Sequence, residues 1–523
     1  MSIMPQRQYG IYVTIAIALV GGIVAGAILF TSSKASEVDL TSADLVPEDA
    51  GVYFAVNTDL TSDQWVAAFD LIQRMGQEDP EQDLRDSAEE SDLDWEEEVA
   101  PFLGGNASIY LKGFDFASLA VTGAVILKAD DAEKALDVIL AETGEYEEST
   151  YAGVDIFVDE FSGFFATRIG DHIVLAIDKD SLEEVIDVHN GDIEPLSDVD
   201  GFIELRNELT RNFLGFVYVN SDALAGDLAL DDPEVRDALD EAGLGDLVFQ
   251  PVAGVIGAKG DAFEFQAAAT GDPGTISPMS EPRESRFATI VPAETAIFVS
   301  TAGVAEVWTA IREAAGDEID DAIREDGTYR DLDEALEAAG REIGLESLEE
   351  LIALFTGETA LAGWYTSDAE EDDVFVLLAE VNDEAAARDV IERIVGNETD
   401  DPEEDQIAGA TVLIFEDDDG EPIAITVHDG YIALGDIEGV RAVLERPGPV
   451  LTERDIYREA VAQMPSSLGS YLYIDMARVL RLAEGGIPAQ LDDAERVMEG
   501  LIINLVNEND IVRVSGALTI AED

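Results

Sequence analysis

The sequence predicts an α+β fold: two tandem homologous domains with mostly antiparallel sheets covered by amphipathic helices, preceded by one transmembrane helix. Three observations predict it. The first is an uncharged apolar run at residues 11–30. The second is a series of landmarks that occurs twice along the chain, in the same order. The third is a set of short apolar runs joined by turn residues, which is typical of antiparallel sheet.

The apolar run Ile11–Phe30 is long enough to cross a bilayer, because about 20 helical residues span a hydrocarbon core of roughly 30 Å. We therefore predict a transmembrane signal anchor at residues 11–30, a cytoplasmic N-terminus at residues 1–10 and a juxtamembrane segment at residues 31–39. The rest of the chain is expected outside the cell. Ser33-Lys34-Ala35 offers a small-x-small cleavage site, so a cleaved signal peptide and a secreted protein are the alternative.

The repeat divides the body into two predicted α+β domains, residues 40–270 and 287–521, with a Pro/Gly/Ser-rich linker at residues 271–286. Each copy begins with a Val-Pro lead-in to a buried strand, followed by a helix that contains a tryptophan. The matched landmarks keep nearly constant spacing: Val46-Pro47 with Val291-Pro292, Trp65 with Trp308, Ala152-Gly153 with Ala408-Gly409, His172 with Gly430, and Asn220 with Asp475.

Local patterns predict individual elements within each copy. Leu182, Val185, Ile186 and Val188 have the spacing of one helix face. The apolar runs 411–415 and 423–427 flank the sequence Glu416-Asp-Asp-Asp-Gly420, which predicts a β-hairpin.

These landmarks resemble the bacterial domain-of-unknown-function 3352 family. The resemblance rests on the N-terminal span, the Val-Pro lead-in, the Gln64-Trp65 helix, the helix-to-Leu-Gly turn at Leu103-Gly104 and the strand Asp429-Gly-Tyr-Ile-Ala-Leu434. It covers most of residues 40–521. Its motifs are structural, so the resemblance implies a membrane-anchored or exported protein and implies no activity or functional residues.

Composition excludes several classes of function. The chain of 523 residues has 29 Lys+Arg against 114 Asp+Glu, a net charge of −85, yet 47 % of its residues are hydrophobic. A chain this apolar folds, and a surface this acidic does not bind nucleic acid phosphates. The absence of cysteine excludes disulfides, thiolate catalysis and iron–sulfur clusters. The few basic residues are mostly arginine, which favours adaptation of the surface to high salt over attraction of a basic partner or of cations.

The motif search predicts no catalytic, cofactor-binding or metal-binding residue. His172, His189 and His428 are not at matched positions of the repeat, and His189 is expected at a helix end. Calcium is the best-motivated ligand, at Asp417–Gly420 and at the acidic run 400–405, but the first run lacks the EF-hand pattern and solvated loops are the preferred interpretation.

Two N-glycosylation patterns are present. Asn106 is expected at the start of a strand, where it is a poor acceptor, and Asn397 is expected in a polar loop.

The function expected from the sequence is a non-catalytic, membrane-anchored interaction or scaffold module of the cell envelope, with a highly acidic, salt-adapted surface. Its expected partners are the membrane, through residues 11–30, and unidentified envelope proteins or cations, and no cofactor is expected. One alternative is an extracellular hydrolase that uses a pair of carboxylates. The other is a calcium-binding surface protein.

Overall fold

The computed structural model describes residues 40–76, 79–90, 94–103, 105–115, 120–143, 146–159, 163–224, 250–270, 277–365, 373–399, 402–416, 421–464, 467–482, 497–508 and 511–521. The described chain forms two compact units. The first unit contains residues 40–224, 250–270 and 520–521, and the second contains residues 277–519.

The strands of the first unit are β1 Val52–Asn57, β2 Asn106–Asp115, β3 Ala120–Lys128, β4 Tyr146–Tyr151, β5 Val154–Asp159, β6 Phe165–Ile169, β7 His172–Ala176, β8 Gly215–Val219, β9 Val252–Lys259 and β10 Ala262–Thr270. Its helices are α1 Asp63–Arg74, α2 Pro80–Glu90, α3 Ala132–Thr143, α4 Lys179–Asn190, α5 Asp200–Glu208 and α6 Ser221–Leu224.

The strands of the second unit are β11 Ile297–Ala302, β12 Phe355–Tyr365, β13 Asp373–Val381, β14 Glu403–Ile407, β15 Ala410–Glu416, β16 Pro422–His428, β17 Tyr431–Asp436, β18 Ser470–Asp475, β19 Met498–Glu508 and β20 Ile511–Ile520. Its helices are α7 Ser277–Ser280, α8 Val304–Asp326, α9 Leu332–Glu342, α10 Glu349–Ile352, α11 Glu384–Glu398, α12 Ile437–Glu445, α13 Asp455–Ala462 and α14 Met476–Leu482.

The order of neighbouring strands is the same in the two units. In the first unit it is β4-β5-β6-β7-β3-β2-β1-β8-β9-β10, and in the second it is β14-β15-β16-β17-β13-β12-β11-β18-β19-β20. The pairings described residue by residue are antiparallel. The first strand of each unit is therefore central, because it pairs on one side with the second strand and on the other with a strand late in the unit.

The predicted fold class is wrong in its layout. The twenty strands belong to one antiparallel sheet, whereas the prediction gave each of two domains a sheet of its own. A duplicated pattern shows which strands exist, but it does not show which strand edges share hydrogen bonds. No helix in the described ranges is long and apolar enough to cross a membrane. The predicted span at residues 11–30 lies outside those ranges, and the predicted domain boundaries stay predictions.

The Val-Pro lead-ins do not belong to the strands that follow them. Pro47 forms an isolated bridge with Pro195, and Pro292 forms the equivalent bridge with Val450. Backbone hydrogen bonds reinforce both bridges: Leu196 N donates to Val46 O at 2.8 Å, and Leu451 N donates to Val291 O at 3.0 Å. Proline lacks an N–H, so it is suited to a single bridge at the margin of a sheet.

Two local predictions are confirmed. Leu182, Val185, Ile186 and Val188 are all buried on α4, which begins at its cap Asp178 and ends at Gly191 with a φ of 81°. The strands β15 and β16 pair as an antiparallel hairpin, as the apolar runs on either side of residue 416 predict.

Candidate functional site

The three histidines lie on different elements. His172 is buried at the start of β7, with Nδ1 3.2 Å from Asp171 Oδ1. His189 is in the last turn of α4, as predicted. His428 ends β16, with Nε2 3.7 Å from Asp429 Oδ2. No group of three or more metal-ligating side chains in the described part of the chain is arranged to hold a metal ion.

The structure corrects the match of His172 with Gly430. In the first unit Ile169 pairs with His172 across a turn that begins with Gly170, and in the second His428 pairs with Tyr431 across a turn of Asp429 and Gly430. His172 is therefore equivalent to Tyr431. The sequence match fails because the glycine comes first in one turn and second in the other.

The remaining candidates separate into three cases. The run Asp417–Gly420 lies outside the described residues. Of the run at 400–405, Glu403 and Glu404 are exposed on β14. Asn106 is buried at the start of β2, and Asn397 is exposed in the last turn of α11, where its Nδ2 donates to Glu342 O at 3.0 Å. The prediction of a polar loop at Asn397 is therefore wrong.

Glu358 is a buried carboxylate near the start of β12, 5 % exposed. Its Oε1 accepts hydrogen bonds from Ser285 Oγ and from Ser300 Oγ, the latter at 2.7 Å. Its Oε2 accepts from the backbone N–H groups of Arg286 at 2.7 Å and Phe287 at 3.2 Å. Four donors compensate the lost hydration of the carboxylate, so Glu358 fastens residues 285–287 to the central strands.

Tyrosine hydroxyls lie in the core near this carboxylate. The hydroxyls of Tyr457 and Tyr471 are 2.8 Å apart. Burial raises the pKa of Tyr457 to about 12 and raises the pKa of Tyr471 well above its ordinary value. Both hydroxyls therefore keep their protons at neutral pH and serve as hydrogen-bond partners.

Asp475 is a second buried carboxylate, with no exposed surface, at the end of β18. Arg454 forms a salt bridge with its Oδ2, and Arg478 Nε lies 3.5 Å from the same oxygen. Arg454 Nη1 also donates to Ala293 O at 3.0 Å. These ion pairs fasten the lead-in at residue 293 to β18, which is a structural role.

Glu380 is a third carboxylate that is held by donors of the fold. Glu380 Oε2 accepts from Glu358 N at 3.0 Å, and Glu380 Oε1 lies 3.2 Å from Arg286 Nη1. Glu358 and Glu380 are therefore neighbours, but both are occupied by donors of the protein. This geometry gives no support to the carboxylate-pair mechanism considered from the sequence.

A row of aliphatic side chains crosses the sheet of the second unit and is the most open apolar feature of its strands. The registers place its members side by side in the order Leu413, Ile425, Leu434, Leu377, Leu361, Val299, Leu472 and Ile503. We name this row, together with Phe375 on the same face of β13 as Leu377, the second row. At one end Leu413 and Ile425 pack against a cluster that includes Val390 of α11. In the middle Leu361 is 40 % exposed, and its neighbour on this face, Phe375, is 44 % exposed. The ring of Phe375 lies over Gly363, which has no side chain to displace it.

The first unit has an equivalent row, which we name the first row. Its members are Phe157, Ala166, Leu175, Val125, Ile109, Phe54, Val217 and Gly254. Phe157 and Leu175 pack against a cluster that includes Leu136 of α3, whereas Ile109, Phe54 and Val217 are half-buried. Exposed apolar patches are typical of surfaces that bind other molecules.

Sequence reasoning missed the two rows. The run Phe375-Val-Leu-Leu-Ala is apolar on both faces of a strand, and such runs indicate strands buried on both sides. The face that carries Val376 and Leu378 is buried, but the face that carries Phe375 is open. The signal was present in the unbroken run, but nothing in the sequence shows which face a helix covers.

Comparisons with known proteins identify the family. Two solved structures, crystal forms IV and III of TP0453, match with TM-scores of 0.24 at 9 % and 10 % identity, covering 44 % and 45 % of this chain and 81 % of theirs. At these scores the likeness carries no argument about fold or function. No curated protein matches. The family model described as "Protein of unknown function (DUF3352)" matches residues 12–496 and confirms the resemblance found in the sequence. The protein therefore belongs to the DUF3352 family.

Proposed function

We propose that this protein is a non-catalytic interaction module of the cell envelope that binds an apolar partner surface through the second row. The observation that carries the proposal is the exposure of Leu361 and Phe375, at 40 % and 44 %, beside further aliphatic side chains of the same face. Burying such side chains on a partner is favourable by about 25 cal/mol per Å² of apolar surface removed from water.

The proposed location is the membrane, with the body outside the cell. It rests on the uncharged run at residues 11–30 and on an acidic body that anionic lipid headgroups repel. Cell fractionation tests the location: the full chain should be found with membranes, and a chain that lacks residues 11–30 should not.

Proximity labelling from the full chain in its own cells tests the proposed interaction. Leu361→Ser combined with Phe375→Ser should abolish labelling of the main neighbours. The matched control combines Val304→Ser with Tyr329→Ser, which removes two exposed apolar side chains of the same unit outside the strands. Equal labelling by both double variants would contradict the proposal.

The acidity of the surface as a whole is proposed to be an adaptation to high salt. At about 1 M salt the Debye length is near 3 Å, so repulsion among the carboxylates is screened. The melting temperature should rise steeply from dilute buffer to molar potassium chloride. An unchanged melting temperature would contradict this part of the proposal.

A further inference from the structure

Two edge strands carry the same acidic pair at equivalent positions. β4 bonds to β5 and β14 bonds to β15, and neither has another partner strand among the described residues. Both edge strands end at an Ala-Gly turn, in which Tyr151 pairs with Val154 and Ile407 pairs with Ala410. Counting back from these turns, Glu147-Glu148 of the first unit is equivalent to Glu403-Glu404 of the second.

The four glutamates are exposed, and no ion pair joins any of them to another described side chain. Consecutive residues of a strand point to opposite faces, so each edge presents one carboxylate on each face of the sheet. Their neighbours across the pairing are apolar: Val158 and Phe157 on β5, and Ile414 and Leu413 on β15. The acidic pairs therefore lie directly beside apolar positions of the neighbouring strands.

An edge strand leaves alternate N–H and C=O groups free to pair with another chain, and on β14 one of these, the N–H of Gln406, already donates to Asp405 Oδ1 at 2.7 Å. The charge of the acidic pair selects which chain can pair with these backbone groups. A second copy of the same edge would bring like charges together, which is unfavourable, whereas an extended segment with two adjacent basic residues would place one cation against each carboxylate. This protein has few basic residues of its own, so such a segment would come from another protein.

We propose that β4 and β14 are two equivalent docking edges for an extended, basic protein segment. The segment adds as a further strand, and its adjacent Lys or Arg side chains pair with Glu147-Glu148 or with Glu403-Glu404. This proposal rests on the proposed role as an interaction module, and it names a second surface and the chemistry of the partner.

Calorimetric titration of the full chain with the peptide Thr-Val-Lys-Lys-Val-Thr tests the proposal. We expect saturable binding with two peptides per chain. A peptide of the same charge with both valines replaced by proline should bind at least 10-fold more weakly, because proline donates no backbone hydrogen bond. Equal affinity of the two peptides would show that an acidic surface attracts any basic peptide without strand pairing, and it would overturn the proposal.

Substitutions locate the sites. Glu147→Gln with Glu148→Gln should lower the stoichiometry from two peptides to one, and adding Glu403→Gln with Glu404→Gln should remove saturable binding. The matched control neutralises four exposed helical acids: Glu133→Gln, Asp137→Asn, Glu392→Gln and Glu438→Gln. It should keep both sites, with affinity within about two-fold of the parent chain. Loss of binding in this control would show that total charge governs binding. If the parent chain binds no peptide and the edge variant self-associates, the glutamates only keep copies of the chain apart. Either result would overturn the proposal.

The variant with Leu361→Ser and Phe375→Ser separates the two proposals. It should bind the peptide like the parent chain, because Leu361 and Phe375 lie on β12 and β13, at least four strands away from the edge strand β14. If this variant still binds the peptide and its envelope labelling equals that of the parent chain, the edge proposal stands and the proposed function is refuted.

Discussion

The two units share a strand order but fasten their central strands with different chemistry. In the first unit Trp65 is 2 % exposed and its indole N–H donates to Asn57 O at 2.7 Å, whereas the indole nitrogen of Trp308 is buried without a partner in the part of the chain that the structure describes. Asn220 of the first unit corresponds to Asp475 of the second: Asn220 N donates to Gly51 O and Asp475 N to Ala296 O. The two units thus share the backbone pairing but differ in the polar side chains beside it, which are neutral in the first unit and charged in the second.

The largest expected effect concerns Asp475 and Arg454. Arg454 lies between the 3₁₀ helix Leu451–Glu453 and α13. Its equivalent in the first unit is Val199, which lies between the 3₁₀ helix Leu196–Asp198 and α5. Asp475→Asn or Arg454→Val alone should destabilise the second unit by about 3–5 kcal/mol. The first removes the anion that faces Arg454, and the second leaves the fully buried Asp475 with Arg478, whose Nε lies 3.5 Å away. The double variant, which copies the first unit, should lose much less than the sum. Urea unfolding, with hydrogen exchange in β18, measures this coupling.

The control in the first unit is Asn220→Ala. Asn220 Oδ1 accepts from Ala223 N at 3.3 Å, so its loss should cost only about 1 kcal/mol. Additive losses of stability in the double-mutant cycle of Asp475 and Arg454 would contradict the view that the two charges stabilise the fold as a pair.

Glu358→Ala should have the next largest effect, about 3 kcal/mol, because it leaves four donors without their acceptor. The equivalent residue in the first unit is Asn106, since Asn57 pairs with Asn106 and Ala302 pairs with Glu358. Asn106→Ala should cost about 1–2 kcal/mol. Thermal unfolding of the two variants makes the comparison, and equal losses would remove the distinction between the charged and the neutral anchor.

The two tryptophans should respond in opposite ways to removal of the indole N–H. Trp65→Phe should destabilise the first unit by about 1–2 kcal/mol, because it removes a buried hydrogen bond and leaves Asn57 O unsatisfied. Trp308→Phe should be neutral or stabilising, because it removes a buried donor that has no acceptor among the described residues. Denaturation midpoints test this, and a loss in Trp308→Phe as large as in Trp65→Phe would indicate that Trp308 has a partner.

The smallest expected effects are gains at the two Ala-Gly turns. Ala152 and Ala408 have φ values of 50° and 51°, followed by Gly153 and Gly409 at 89°. Asparagine tolerates this left-handed conformation better than alanine does, so Ala152→Asn and Ala408→Asn should each stabilise by about 0.5–1 kcal/mol. The control substitutions to valine should destabilise, and a destabilising asparagine would contradict the turn geometry. Thermal unfolding at fixed salt measures both.

Features set by local pattern were predictable from the sequence. The burial of Leu182 and Val185 on one helix face and the β15–β16 hairpin follow from periodicity within a few residues. The matched Ala-Gly and Val-Pro landmarks were found for the same reason. The sequence does not show that Val-Pro forms a bridge with a residue far along the chain, because that pairing depends on the assembled sheet.

The candidate sites depended on such distant pairings and were not predictable. Glu358 looks like one acid among 114, and only the fold brings Ser285 and Ser300 to its carboxylate. The exposure of Phe375 depends on which face the helices cover. The acidic pair at Glu147-Glu148 was visible in the sequence, but its place on a sheet edge was not.

The central position of β1 and β11 also governs how the chain folds. Val52 pairs with Val219 and Ile297 pairs with Ile474, so roughly 170 residues separate the partners of each pairing. At synthesis rates of 5–20 residues per second, a newly made first strand waits ~10–30 s for that partner. Until that partner is made, one edge of this apolar strand has no strand to pair with. Chaperones that hold extended apolar chains should therefore bind the nascent protein, and its refolding should be slow.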